Sequence, residues 1–370
     1  MDQKIEVDQE RMEKSLGKLK NWREEINKAL EKDFKTYGKR AGEIHEEGER
    51  MVRYLRKFSM RGGKRIRPGL VIAGYKAVGG EDHERILEAA TSIEAFQTYV
   101  LIHDDVEDED DERRGGPTMH KMYEKLYEER EMIGGKEKYG RNLAITAGSL
   151  ADSYSVYTLA KSDFDPETKI EAIKKLEQIH RYTAVGQTLD HTTNHKGPEE
   201  VNESDILKVH ELKTARYTMA GPLELGAILG KGNEKQKEIL KKYGRRAGRA
   251  FQTYDDILGL YGTKEKLGKP VDSDLKEGKK TLLILKALEN GDEEQREKIK
   301  QALGNKNITK KQVEEIRKIV KETGSYKYSK RRVKEMIEKS KDVLKNSNHI
   351  DEEMEDFLIG IADYIVTREF

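Results

Sequence analysis

The chain has 370 residues, and its 71 Lys and Arg nearly balance 70 Asp and Glu, leaving a formal net charge of only +1. That balance argues against a dedicated nucleic-acid binder, which would carry a basic excess. The absence of cysteine excludes disulfides, thiolate metal sites and a cysteine nucleophile. No apolar run approaches the roughly 18 residues of a membrane span, and Met1-Asp2-Gln3-Lys4 opens no signal-peptide stretch. A cytoplasmic protein without stable membrane insertion is expected.

Met12, Leu16, Leu19, Trp22, Ile26 and Leu30 recur at spacings of three and four, the mark of an amphipathic helix. Residues 1–34 are expected to form a helical extension that covers a dimer contact, extends the core or lies on a membrane surface; the main domain is expected at 35–370. Next comes Gly62-Gly63-Lys64-Arg65-Ile66-Arg67-Pro68, where a double glycine permits close backbone approach to an anion. An apolar helical stretch (Ile93, Phe96, Val100, Leu101) then runs into His103-Asp104-Asp105-Val106-Glu107-Asp108 and on to Arg113-Arg114-Gly115. Residues four apart share a helix face, so Asp104 and Asp108 point the same way. Gln97, seven residues before Asp104, shares that face. Asp165-Pro166 and Asn202-Glu203-Ser204-Asp205 read as helix starts, because short polar side chains cap free N–H groups. A second acidic patch groups Gln252, Asp255, Asp256 and Gly259, and a further stripe follows at Val313, Ile316, Ile319 and Val320. Period-two alternation is hard to find, so one all-α domain of about a dozen helices is predicted. Two carboxylate patches at the mouth of an apolar cavity repel each other unless hard divalent cations bridge them; Mg²⁺ does so while sharing itself with substrate phosphates.

Six blocks in this order resemble the trans-type polyprenyl diphosphate synthases: Gly62–Pro68, His103–Thr118, Gly186-Gln187-Thr188-Leu189-Asp190, Lys213-Thr214-Ala215-Arg216-Tyr217, Asp255-Asp256, and Gly268-Lys269-Pro270 with Ser273–Thr281. The resemblance runs from about residue 35 to the C-terminus. It implies a helical bundle around a central apolar cavity, a homodimer, and Mg²⁺-dependent head-to-tail condensation of isopentenyl diphosphate with an allylic diphosphate.

By that resemblance Asp104, Asp108 and Asp255 hold the metal, about three Mg²⁺ ions with Mn²⁺ as a substitute, and Asp105 and Asp256 support them. Arg113, Lys213, Gln252, Lys269 and Lys279 face the allylic diphosphate. Gly63, Lys64, Arg67, Gln97 and Arg114 face isopentenyl diphosphate without metal. Gln187 and Thr214 line the reacting region, and the leaving pyrophosphate takes the proton, so no His or Glu base is assigned. The resemblance also makes Tyr99, five residues before the first aspartate, a gate on product length, with Val100 beside it and Phe96 as the backstop.

Two positions depart from the family pattern: Gly259 stands where a third aspartate is usual, and Gly148-Ser149 replaces Gly-Asp. Val100 in place of a second aromatic, and no insertion between the aspartate pairs, resemble the archaeal-type geranylgeranyl synthases, so a C20 product is expected. The alternatives are farnesyl or longer-chain diphosphate synthesis and, in another class, a low-activity partner subunit of a heteromeric synthase. A class I terpene cyclase would lack Gly62–Pro68.

Overall fold

The structure, a computed structural model, describes residues 7–262 and 273–367. Ten helices lead to the second acidic patch: α1 (Gln9–Ile44), α2 (Glu46–Ser59), α3 (Ile66–Ala77), α4 (His83–Glu107), α5 (Met119–Glu129), α6 (Lys136–Lys161), α7 (Pro166–His195), α8 (Glu203–Val209), α9 (Gly221–Leu229) and α10 (Glu234–Tyr261). Further helices occupy Ser273–Lys276, Leu282–Asn290, Glu293–Ala302, Lys310–Glu322, Ser325–Lys345 and Glu352–Thr367. The all-α expectation holds. Both starts read from the sequence are formed: Asp165 accepts from the Thr168 N–H at 3.1 Å, and Asn202 accepts from the N–H groups of Ser204 and Asp205. Among the described residues no helix is long and apolar enough to cross a membrane.

The backbone has no break at the boundary expected after residue 34. One helix, α1, runs through it to Ile44, and Leu19, Trp22, Ile26, Leu30, Phe34 and Tyr37 are all buried. They lie against α2 and the C-terminal helix, where the Trp22 and Phe357 rings stand 5.1 Å apart. A stripe on one helix cannot say which surface it meets, and here it meets the main core.

Helix α4 is the axis of the bundle. Ile86, Ala90, Ile93, Phe96 and Ile102 are buried on different sides of it, as befits a helix packed by α1, α3 and α6. It therefore carries the first acidic patch from the core to the cavity mouth. Helices α3 and α9 meet backbone to backbone: a Cβ on Gly74 would lie 2.2 Å from the Leu223 carbonyl oxygen, and one on Gly226 would lie 2.0 Å from that of Val71. Only glycine permits that approach. It fixes the N-terminal end of α3, where Arg67 sits, against Thr218.

Two features lie outside the helical periodicity. Between α8 and α9, His210–Ala220 winds as an 11-residue π-helix continuous with both. Such stretches are rare and concentrate at functional sites. After α4 the chain makes a small hairpin, β1 (Glu112–Arg113) with β2 (Gly116–Pro117). Its turn residues Arg114 and Gly115 both have positive φ, 52° and 70°, as a type I′ turn requires.

Candidate active site

A cavity of about 910 Å³ opens between the basic loop, the π-helix and the end of α10. Lys64, Arg67 and Arg114 line one wall; Lys213, Thr214, Gln252, Asp255, Asp256, Gly259 and Lys279 line the other. The basic wall is built from strained backbone. Gly62, Gly63 and Arg65 all take positive φ, and the Arg65 guanidinium is buried against Glu94, the Ser59 carbonyl and Asn27. Arg65 thus anchors the loop and leaves Lys64 and Arg67 for the cavity. Lys64 lies over the Tyr364 ring, 4.8 Å from its centroid; Arg67 lies over the Tyr217 ring at 4.2 Å and donates to Thr218. Gly63 leaves room for Arg114, whose Nη1 would come within 3.1 Å of a Cβ there. Among the described residues none of Lys64, Arg67 and Arg114 forms an ion pair. Three cations with no ion pair of their own, beside a Glu94 that Arg65 already holds, are a ready seat for a diphosphate that carries no metal.

The hairpin sends its two arginines apart. Arg114 reaches the basic wall, whereas Arg113 turns back onto the first acidic patch. It contacts Asp104 at 3.2 Å, Asp110 at 3.4 Å and the fully buried Asp105. Asp104 is also approached by Gln187 Nε2 at 3.4 Å and Lys213 Nζ at 3.7 Å. Lys213 in turn holds Asp190 at 2.6 Å, and Lys279 lies against Glu277 at 2.6 Å and Asp274 at 3.3 Å. Along α10, Gln252 accepts a hydrogen bond from Thr214 at 2.7 Å and donates to Asp256 at 2.9 Å. His210 Nε2 lies 3.0 Å from the other oxygen of Asp256. The Asp256 carboxylate is thus buried behind Asp255, in the seam with the π-helix, where it steadies Gln252.

The charges respond accordingly. Burial pushes Asp105 up to about 7 despite the Arg113 guanidinium beside it. Burial, with the Asp104 charge next to it, pushes Asp108 up to about 7 even though Lys279 and Lys213 pull it down. Burial acts against the charge of Lys213, but Asp190 and Asp104 outweigh it and the ammonium is held more firmly than usual. A folded-state pKa near 7 against an unfolded value near 4 means that the folded protein binds more protons between those limits. Stability therefore falls as pH rises through that window. In EDTA, the urea midpoint of Asp105→Asn should fall less between about pH 5 and pH 8 than that of the parent chain; equal slopes would show that Asp105 titrates normally.

Some expected site residues stand apart from the cavity wall. Gln97 is buried on α4, with no hydrogen-bond partner for its Oε1 among the described residues. Tyr99, Val100 and Phe96 do not line the 910 Å³ cavity, and neither do Asp104, Asp105, Asp108, Arg113 and Gln187, of which Asp104 comes nearest through Lys213, 3.7 Å away. Lys269 falls outside the described residues. The Ser149 hydroxyl turns back to the carbonyl of Ile145 in its own helix at 3.1 Å, away from the site. The space beside Gly259 is taken: a Cβ there would lie 2.3 Å from Asp274 Oδ2, so a carboxylate from a neighbouring segment stands where the usual third aspartate would begin. Four partners went unassigned in the sequence. Asp190, three residues after Gln187 and on its face, was findable; Tyr364, His210 and Asp274 reach the site only through the fold.

Residues 48–322 match the polyprenyl synthetase family. The chain belongs to that family. It is 32% identical to the short chain isoprenyl diphosphate synthase of Methanocaldococcus jannaschii over 81% of this chain and 83% of that protein. It is 33% identical to the geranylgeranyl diphosphate synthase of Methanosarcina mazei over 84% and 87%. The crystal structure of geranylgeranyl pyrophosphate synthase from Corynebacterium glutamicum, complexed with isoprenyl diphosphate and magnesium, superposes with a TM-score of 0.88 at 30% identity, covering 95% of this chain and 99% of that one. Polyprenyl synthetases are transferases, and the family is Mg²⁺-dependent in general. The residues here suit that ion. The candidate donors are all carboxylate oxygens, and burial together with the neighbouring Asp104 charge pushes Asp108 toward neutrality without a cation. Among the described residues no three His, Asp or Glu side chains are grouped closely enough to hold a metal ion by themselves.

Proposed function

We propose that this polyprenyl synthetase condenses isopentenyl diphosphate with allylic diphosphates and stops mainly at geranylgeranyl diphosphate, C20. One observation carries the reading: a single cavity has on one wall a basic trio that forms no ion pair among the described residues, and on the other Asp255 and Asp256, with Asp104 3.7 Å from the lining Lys213. Two diphosphates of different kinds fit such a cavity, one held by cations alone and one through metal. The names of the archaeal relatives and the single ring at Tyr99 support C20.

Lys64, Arg67 and Arg114 would hold isopentenyl diphosphate, the two arginines by paired hydrogen bonds and the lysine as a point charge. Gln97 and Gly63 shape that side. Arg113, Lys213, Gln252, Lys269 and Lys279 would hold the allylic diphosphate, so Arg113 and Lys213 must trade part of their carboxylate contacts for phosphate on binding. Asp104, Asp108 and Asp255 would hold Mg²⁺, which neutralises charge on the departing pyrophosphate. Asp105 keeps Arg113 aimed at the leaving group, and Asp256 keeps Gln252 on Thr214. Gln187 and Thr214 present dipoles to the allylic cation as it forms. The double bond of isopentenyl diphosphate then attacks, and the released pyrophosphate takes the proton. The protein would act in the cytoplasm as a homodimer; exposed Ile145 on α6 and Ile170 and Val185 on α7 supply apolar surface for a second copy.

Incubation with labelled isopentenyl diphosphate and C5, C10 or C15 allylic primers tests this. Chromatography should show C20 with Mg²⁺ and nothing with EDTA. Turnover that survives EDTA overturns the metal assignment; C15 or products well beyond C20 overturn the assigned length.

A further inference from the structure

Below the first acidic patch, α4 carries a ring cluster tied to two other helices by polar groups that no part of the catalytic assignment uses. The Tyr99 hydroxyl lies 3.1 Å from His180 Nε2 on α7. The other ring nitrogen of His180 lies 3.6 Å from Asp152 Oδ2 on α6. The His180 ring also packs against Tyr99 and Phe96, with centroids 5.1 and 5.4 Å away, and Phe96 and Tyr99 lie 5.6 Å from each other. His180 is therefore the hub of the cluster. It meets both rings of α4 by contact, one of them by hydrogen bond, and α6 through its far nitrogen.

An isoprenoid chain growing away from the diphosphates gains roughly 4–5 Å per C5 unit, about three residues of helix rise. Tyr99 and Phe96 are five and eight residues before Asp104, within reach of a chain of that length. A ring stops such a chain only if it cannot swing aside, and a tyrosine alone can change rotamer. A histidine on another helix, within hydrogen-bond distance of its hydroxyl, removes that freedom, and a carboxylate 3.6 Å from the histidine's far nitrogen favours one orientation of the imidazole.

We propose that His180, oriented by Asp152, determines product length by locking Tyr99 across the elongation path. Asp152 is then a positioning residue and His180 a specificity residue. The inference rests on the reading of Tyr99 as the gate, and the two are separable by experiment. Product distributions are measured with C15 primer and Mg²⁺ for Tyr99→Ala, Tyr99→Phe, His180→Ala, His180→Gln and Asp152→Asn, each as a share of total product. Tyr99→Ala is expected to move output to C25 and longer. Tyr99→Phe keeps the ring and loses the bond; it and His180→Ala should each raise the share beyond C20 roughly three- to tenfold, the population change that losing one hydrogen bond allows. His180→Gln, which can still meet the hydroxyl, should stay nearer C20, and Asp152→Asn should fall between. If Tyr99→Ala lengthens the product while Tyr99→Phe and His180→Ala do not, bulk alone sets the ceiling and the lock is overturned. If Tyr99→Ala changes nothing, the gate and the lock both fall. Circular dichroism checks each variant for folding, and Tyr99→Phe, the mildest change, decides the matter if His180→Ala does not fold.

Discussion

Asp104→Ala and Asp255→Ala are each expected to lower turnover by at least about a hundredfold while the helical circular-dichroism spectrum is retained. The chemical step must neutralise charge that develops on pyrophosphate, and losing one preorganised element of such stabilisation costs about 10²–10³ in rate. The fold should tolerate the loss. Without Asp104, Lys213 keeps Asp190 and Arg113 keeps Asp105 and Asp110, so no buried cation is stranded. Asp255 lies at the cavity wall, away from the packed side of α10. Steady-state kinetics at saturating Mg²⁺ would read the effect, and near-normal turnover in either variant would remove that residue from the metal set.

Removing residues 1–34 should abolish cooperative folding. The deletion strips Leu19, Trp22, Ile26 and Leu30 from the main core; each is at most 6% exposed. At about 1.5–3 kcal/mol per buried large side chain the loss is roughly 6–12 kcal/mol, comparable to the whole stability of a typical domain. Thermal and urea unfolding of the truncated chain, followed by circular dichroism, should show no sharp transition. A stable truncated protein would mean that α1 covers a core that is complete without it.

The blocks of the candidate site were legible because they are local. Two carboxylates four apart on a helix, followed by Arg113 and Arg114, declare their chemistry whatever the surroundings. What stayed hidden depends on contacts distant in sequence. Nothing before the hairpin says that Arg113 and Arg114 go to opposite sides of the site. Lys64 and Tyr364 meet because the C-terminal helix packs on both α1 and α3, beside the basic loop. Arg65 sits between Lys64 and Arg67 and carries the same charge, yet it is structural; the difference lies in a positive φ and a buried Glu94. The stripe in residues 1–34 left its partner surface open for a related reason: periodicity reveals that a helix has an apolar face but not what covers it.

The π-helix at His210–Ala220 makes the site sensitive to chain length in a way that side-chain chemistry alone does not. Its winding lets Lys213 and Thr214 look into the cavity while Glu211, two and three residues earlier, takes Arg216, Arg245 and Arg249 on another face. In an ordinary α-helix one residue corresponds to about 100° of rotation. Shortening this stretch by a single residue would therefore swing one of these faces out of register while leaving composition and helix content almost untouched. A comparison of related chains that slips by one residue between His210 and Ala220 would pair Lys213, which lines the cavity, with the buried Leu212.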